Sequence, residues 1–240
     1  MNLIFDIGNS STKLGIYDGD KKINVFRSKE WSCEELTEKM SHFKIERAII
    51  SSVRVIPEFI LDLLTVNIPF VHILSHKSVL PFITDYQTPE TLGTDRVAAV
   101  AGALIHFPGS NALIIDAGTA ITFDFMAGNT YKGGNISPGI SMRFMALNKF
   151  TDKLPLIKRA GEYNPIGRST KEAITAGVLT GVIYEINEYI RTFEKMKIDI
   201  KVIVTGGDSS FLRNKINFKH SFIPDLVVDG LNNILKYNAK

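Results

Sequence analysis

The sequence predicts a duplicated α/β fold: two similar lobes with a cleft between them. Three observations carry this. Short apolar runs of strand length alternate with longer stretches of helical pattern. Two of those runs end alike, as Leu3-Ile4-Phe5-Asp6-Ile7-Gly8-Asn9-Ser10 and Leu113-Ile114-Ile115-Asp116-Ala117-Gly118-Thr119-Ala120, and the two acids lie 110 residues apart. The chain has 240 residues, between one ordinary domain and two. A repeat of that period is a duplicated domain, not a solenoid. The expected lobes are 1–110 and 111–240.

The elements follow in order. Leu3 to Phe5 is a buried strand ending at Asp6, and Lys13 to Tyr17 returns beside it after Gly8-Asn9-Ser10. Asp18-Gly19-Asp20 turns the chain into a third strand, Ile23 to Phe26. Ser32 is the expected N-cap of a helix to about Phe43, with Glu34 and Glu35 in its first turn. Ala48 to Ile50 and Phe70 to Leu74 are strands, separated by a helix that Pro57 starts. A helix runs from about Asp95 to His106. The pattern then begins again, with strands at Ala112 to Ile115 and Ile121 to Phe125 and a weaker one at Asn129 to Lys132. Gly133 to Gly139 reads as a glycine-rich loop before a helix. A long helix from about Ser169 to Glu194, a strand Val202 to Val204, a short helix after Asp208 and a last helix from about Leu226 to Tyr237 complete the chain.

Composition narrows the function. Apolar residues are 45% and charged residues 22%, with a net charge of +3, an ordinary globular balance. No dense Lys/Arg run marks a nucleic-acid partner. The longest apolar stretch, Val97 to Ile105, holds nine residues and is too short to span a membrane. The N-terminal apolar run meets Asp6 too early for a signal peptide. One cysteine, Cys33, forms no internal disulfide, so a cytoplasmic protein is expected.

The acids and glycines suggest phosphate chemistry. A carboxylate at the end of a buried strand, followed by a glycine turn, sits at a cleft mouth with backbone N–H groups free to meet an anion. Asp6 is a candidate for hydrated Mg²⁺, and Gly8, Asn9, Ser10 and Lys13 for phosphate oxygens. The competing reading is a plain hairpin turn, common for Asp-x-Gly; two such turns favour Mg-nucleotide binding. No Gly-x-x-x-x-Gly-Lys-Ser/Thr and no Gly-x-Gly-x-x-Gly occurs. Thr205-Gly206-Gly207-Asp208 is either a nucleotide contact or an ordinary strand-to-helix loop. In Gly93-Thr94-Asp95-Arg96 either Thr94 or Asp95 is the helix N-cap, or the acid-base pair positions a substrate hydroxyl and carboxylate. His72 and His76 lie on strand and loop, without the geometry of a metal pair.

Taken together these residues resemble the type III pantothenate kinases, within the superfamily of acetate and sugar kinases, heat-shock chaperones and actin. Asp6-Ile7-Gly8-Asn9-Ser10-Ser11-Thr12-Lys13 is similar to the family's first phosphate motif, Gly93 to Arg96 to its substrate signature and Asp116 to Ala120 to its second phosphate motif. Gly133 to Gly139, Gly167-Arg168-Ser169-Thr170 and Thr205 to Gly207 match in order and spacing. The resemblance implies ribonuclease H-like (actin-like ATPase) lobes with a nucleotide cleft between them. It implies transfer of the ATP γ-phosphate to pantothenate, the first step of coenzyme A synthesis. On that resemblance Asp95 is the proton acceptor; Tyr86, Gly93, Thr94, Asp95, Arg96 and Thr170 contact pantothenate; Asp6 to Lys13 and Thr119 bind ATP with Mg²⁺. Asp116 holds the monovalent cation, K⁺ or NH₄⁺, and the protein is a homodimer. Ser10 stands where the family often has Thr, and Gly167-Arg-Ser-Thr170 replaces a commoner Gly-Lys-Asn-Thr. The rivals are another small-molecule kinase of the superfamily, such as an amino-sugar kinase, and a nucleotide-binding regulator without turnover.

Overall fold

A computed structural model describes residues 1–157 and 163–239. By contact the chain divides into two compact units. The first holds Met1–Gly109, Met126–Gly133 and the segment from Asp225 to the C-terminus; the second holds Ser110–Phe125 and Gly134–Pro224.

In the first unit, β1 (Asn2–Ile7), β2 (Thr12–Asp18) and β3 (Lys21–Ser28) form an antiparallel meander. Helix α1 (Cys33–Ser41) carries the chain to β4 (Arg47–Ser52), and α2 (Glu58–Asn67) to β5 (Phe70–Ile73). Both strands add in parallel, so the order is β3-β2-β1-β4-β5. Ser32 caps α1 as expected, in a full capping box: its hydroxyl accepts from Glu35 N, and the Glu35 carboxylate accepts from Ser32 N at 3.0 Å. Leu3, Phe5, Ile7, Leu14, Ile16 and Ile50 pack with Leu36 and Met40 of α1 and Ile60 and Leu64 of α2. After β6 (Ile83–Thr84) and a one-turn 3₁₀ helix at Pro89–Thr91, α3 (Thr94–His106) begins.

The second unit has β7 (Ala112–Ala117), β8 (Ala120–Ala127), β9 (Thr130–Pro138), α4 (Ile140–Lys149), α5 (Thr170–Lys195), β10 (Lys201–Thr205), α6 (Ser209–Leu212) and β11 (Ser221–Phe222). Its strand order is β11-β10-β7-β8-β9. Leu113, Ile115, Ala117, Ile121 and Phe123 meet Val178, Leu179, Val182 and Ile186 of α5. Residues Thr130 and Tyr131, counted in the first unit, pair in parallel with β6.

By contact, the C-terminal helix α7 (Leu226–Asn238) belongs to the first unit, packed on α3, β1 and β4. Glycines at the helix crossing explain the fit: a Cβ on Gly102 would run into Leu226 O, and one on Gly230 into Ala98 O. The two backbones touch. Polar anchors finish the dock, with Tyr17 Oη donating to Asp229 Oδ1 at 2.6 Å and Asn2 Nδ2 to Asn232 Oδ1 at 2.9 Å.

One correction concerns Gly133 to Gly139. The segment up to Pro138 is strand, not loop: β9 pairs beside β8 and runs as far as Pro138, and Gly133 within it takes φ +105, a value that glycine adopts without strain. The helix expected after Gly139 is α4; no expectation placed β6 or β11.

Candidate active site

The first turn joins β1 to β2, with Asp6 opposite Lys13 and Ile7 opposite Thr12; β4 sets Ser51 beside Asp6 on the other side. Gly8 N donates to Ser11 O at 3.1 Å, closing a loop whose Asn9, Ser10 and Ser11 are exposed while Thr12 is buried. Burial pushes the Asp6 carboxyl up to about 6; Lys13 pulls it down, and the Asp95 carboxylate adds to the rise. Lys13 and Asp95 both therefore act on Asp6 at the carboxyl end of β1.

Asp95 reaches that place through α3. The helix N-cap is Gly93, with no side-chain cap, so neither Thr94 nor Asp95 caps it. Thr94 is otherwise engaged: its Oγ1 accepts from Ser51 Oγ at 3.0 Å and donates to Ser52 O at 3.2 Å, which pins the helix start to the end of β4. Asp95 folds back so that Oδ1 accepts from Arg96 N at 2.8 Å. A Cβ on residue 93 would collide with that carboxylate oxygen, so glycine there keeps Asp95 in place. Sitting in the first turn, the carboxylate is stabilised by the helix dipole.

Arg96 is buried, and its guanidinium carbon lies 5.7 Å from the centroid of the Tyr86 ring. Tyr86 in turn stacks on Tyr131, centroids 5.9 Å apart and planes 18° from parallel. Asp6, Lys13, Tyr86, Gly93, Thr94, Asp95 and Arg96 thus all belong to the first unit.

In the second unit, Asp116 is the penultimate residue of β7, Gly118 N donates to Ala120 O at 2.9 Å, and Gly139 N donates to Thr119 O at 3.0 Å. Thr205 of β10 stands opposite Asp116 in register. Gly206 takes φ +93, and a Cβ there would strike Ala117 O and Asp116 Oδ1. The Thr205-Gly206-Gly207-Asp208 turn is wrapped onto the Asp116 turn, with Asp208 N donating to Ala117 O at 2.8 Å. Thr170 is the first residue of α5, exposed, behind the N-cap Ser169, whose hydroxyl accepts from Glu172 N at 3.3 Å.

Two polar residues beside these turns escaped the sequence reading. Ser51 and Ser52 lie at the end of β4, where only the partnered register reveals them. Thr205 was noticed only as part of its glycine turn; its fully buried Oγ1 has no hydrogen-bond partner among the described residues. That orphaned hydroxyl opposite a carboxylate is an oxygen donor set suited to a cation. Among the described residues no three His, Cys, Asp or Glu side chains cluster as a metal site. A divalent ion carried in on nucleotide phosphates, needing one or two protein carboxylates, fits Asp6 better than a closed protein cage.

The family model for type III pantothenate kinase matches residues 2–192. The chain belongs to the type III pantothenate kinase family. Curated relatives of that name are 45% identical in Phocaeicola vulgatus, over all of both chains, and 41% identical in Bacteroides fragilis strain YCH46, over 99% of this chain and 98% of the relative. The relative in Cytophaga hutchinsonii is 39% identical over all of both chains. Among solved structures, a Campylobacter jejuni protein described as a Baf family transcriptional activator aligns with TM-score 0.60 at 25% identity, over 99% of this chain and 98% of that one. Component A of the Acidaminococcus fermentans (R)-2-hydroxyglutaryl-CoA dehydratase aligns with TM-score 0.56 at 13% identity, over 100% and 99%, which shows the fold alone. The duplicated α/β architecture expected from the repeat is that of the actin-like ATPases and sugar kinases. As a member of this family the chain is a phosphotransferase enzyme.

Proposed function

We propose that this chain transfers the γ-phosphoryl group of ATP to the primary hydroxyl of pantothenate, opening coenzyme A synthesis in the cytoplasm. The observation that carries the reading is the pinned start of α3: Ser51 and Ser52 hold Thr94, Gly93 makes room, and the Asp95 carboxylate comes to bear on Asp6. Asp95 takes the proton as the pantothenate oxygen bonds to phosphorus and the bridging P–O bond breaks, releasing ADP. A carboxylate in the first turn of a helix, favoured by the helix dipole, is placed to accept it. Arg96, with Tyr86 beneath it, receives the pantothenate carboxylate, and Thr170 adds a contact. Asp6 to Lys13 and Thr119 hold ATP, whose Mg²⁺ supplies charge neutralisation when bound. Asp116, with Thr205 beside it, would hold the monovalent cation, K⁺ or NH₄⁺.

A homodimer is part of the same reading. Helix α4 sends Ile140 and Phe144 into the core yet leaves Met142, Met145 and Leu147 exposed, with the C-cap Phe150 exposed beyond them, so it is apolar on both sides. Beside it Tyr184 of α5 is 70% exposed and Gly177 has open space before it. Such a face in one unit fits a second copy of the chain better than water. The test of function is ATP consumption with pantothenate in K⁺, NH₄⁺ or Na⁺ salts. Turnover that needs pantothenate and collapses in Na⁺ is expected; none in any salt overturns the reading.

A further inference from the structure

We propose that Tyr131 is a positioning residue for the acceptor site, holding Tyr86 and, through it, Arg96; this rests on the reading of Tyr86 and Arg96 as pantothenate contacts. Tyr131 lies on β9, far in sequence from the substrate signature, and is fully buried. Its backbone and ring hold the same segment. Thr84 pairs with Tyr131 in register, and Asp85 N donates to Tyr131 O at 3.0 Å. The ring then lies nearly parallel to that of Tyr86, while Phe82 meets Tyr131 edge-on with centroids 6.3 Å apart.

The neighbours of Tyr131 on β9 complete a cradle. Lys132 Nζ pairs with Asp85 Oδ2 at 2.6 Å, and a Cβ on Gly133 would stand 3.7 Å from Tyr86 Cδ2, within ordinary contact. Tyr86 N also donates to Thr84 Oγ1 at 3.1 Å. Three consecutive residues of one strand thus line the Asp85–Tyr86 segment, and of these Tyr131 alone stacks on the Tyr86 ring. Arg96 sits over that ring.

A guanidinium over an aromatic face keeps its fork directed at an anion, and its stacking fixes the plane of the fork. Pre-arranging the fork spares the substrate that ordering cost, so the stack acts on acceptor binding more than on phosphoryl transfer. Without a flat ring at position 131, Tyr86 loses its support and Arg96 its fixed plane. Asp95 keeps its own bond to Arg96 N and its glycine neighbour, so the proton acceptor stays where it is.

The test is steady-state kinetics and calorimetric pantothenate binding on Tyr131→Leu, Tyr131→Phe and Arg96→Gln, each checked by thermal melting. Tyr131→Leu is expected to raise the pantothenate KM about tenfold, with kcat within about threefold and the ATP KM within about twofold. Tyr131→Phe keeps the ring and should return the pantothenate KM to within about threefold of wild type. If the leucine variant folds poorly, Tyr131→Met fills the volume without a flat ring and carries the same expectation. An unchanged pantothenate KM in Tyr131→Leu beside a raised one in Arg96→Gln overturns the proposal alone. So does a loss in which kcat and both KM values shift together, or a phenylalanine variant as impaired as the leucine one. No pantothenate turnover in wild type, or a normal pantothenate KM in Arg96→Gln, overturns the acceptor-site reading and the proposal with it.

Discussion

Asp6 and Asp95 set two carboxylates against each other beside a single lysine, and this makes the site sensitive to pH. Asp6 has its pKa raised to about 6 from 3.8, by burial first and by Asp95 in addition. The folded protein therefore binds that proton more tightly than the unfolded chain. The resulting stability is fully present below pH about 4 and is lost as pH rises through about 6. A shift of about two units is worth at most about 3 kcal/mol. In the ligand-free protein, Asp6→Asn should melt above wild type at pH 8, and the gap should close by pH 4; equal melting curves at both pH values would remove the strain from Asp6. The role of Asp95 shows in turnover. Asp95→Asn is expected to lower kcat by about 10²–10⁴, the usual share of a general base, with ATP affinity little changed. Near wild-type kcat in that variant would exclude Asp95 as the proton acceptor.

Among the elements, the two strand-turn-strand pieces were the most legible, because a buried apolar run, an acid and a glycine are local signals. The start of α3 was half legible. Gly93-Thr94-Asp95-Arg96 stood out by composition, but its geometry depends on Ser51 and Ser52, whose partners are about forty residues away in sequence. Helix α4 was expected after Gly139 but without bounds or a buried face, because its apolar residues lie on both faces, which erases helical periodicity. Strand β9 was cut short because its glycines resemble a loop, and only its pairing in the sheet shows the strand running on to Pro138. The packing of α7 on α3 was invisible, since a long-range crossing leaves no local pattern beyond two glycines. That crossing makes its own prediction. Gly230→Ala must push Ala98 O and Gly102 N away, and overpacking of this kind costs about 1–3 kcal/mol or more. Thermal melting should show the loss, and hydrogen exchange should report earlier opening of α3 and α7 together. An alanine variant as stable as wild type would mean the helices cross with room to spare.

At the scale of the whole molecule, the near-balanced charge fits a protein that meets its anionic ligands locally, with turn amides and a few fixed side chains, and needs no basic surface. What stands out on the surface is apolar: the exposed side of α4 with the neighbouring turns of α5. A monomer keeps such a patch only at a cost in solubility, whereas a symmetric pair of chains covers it twice with one surface. Gly177 offers a clean way to test this, because nothing lies within 4 Å of where its side chain would begin. Gly177→Arg should not harm the fold, since replacing glycine inside a helix favours that helix by up to about 1 kcal/mol. A large charged side chain facing a second copy would still block association. Light scattering coupled to size exclusion is expected to give two chains for wild type and one for Gly177→Arg at equal or higher melting temperature. A variant that stays dimeric would place the contact elsewhere, and a monomeric wild type would leave the α4 face to another partner. If dimerisation also completes the acceptor site, the monomeric variant will lose pantothenate turnover while its binding of ATP persists.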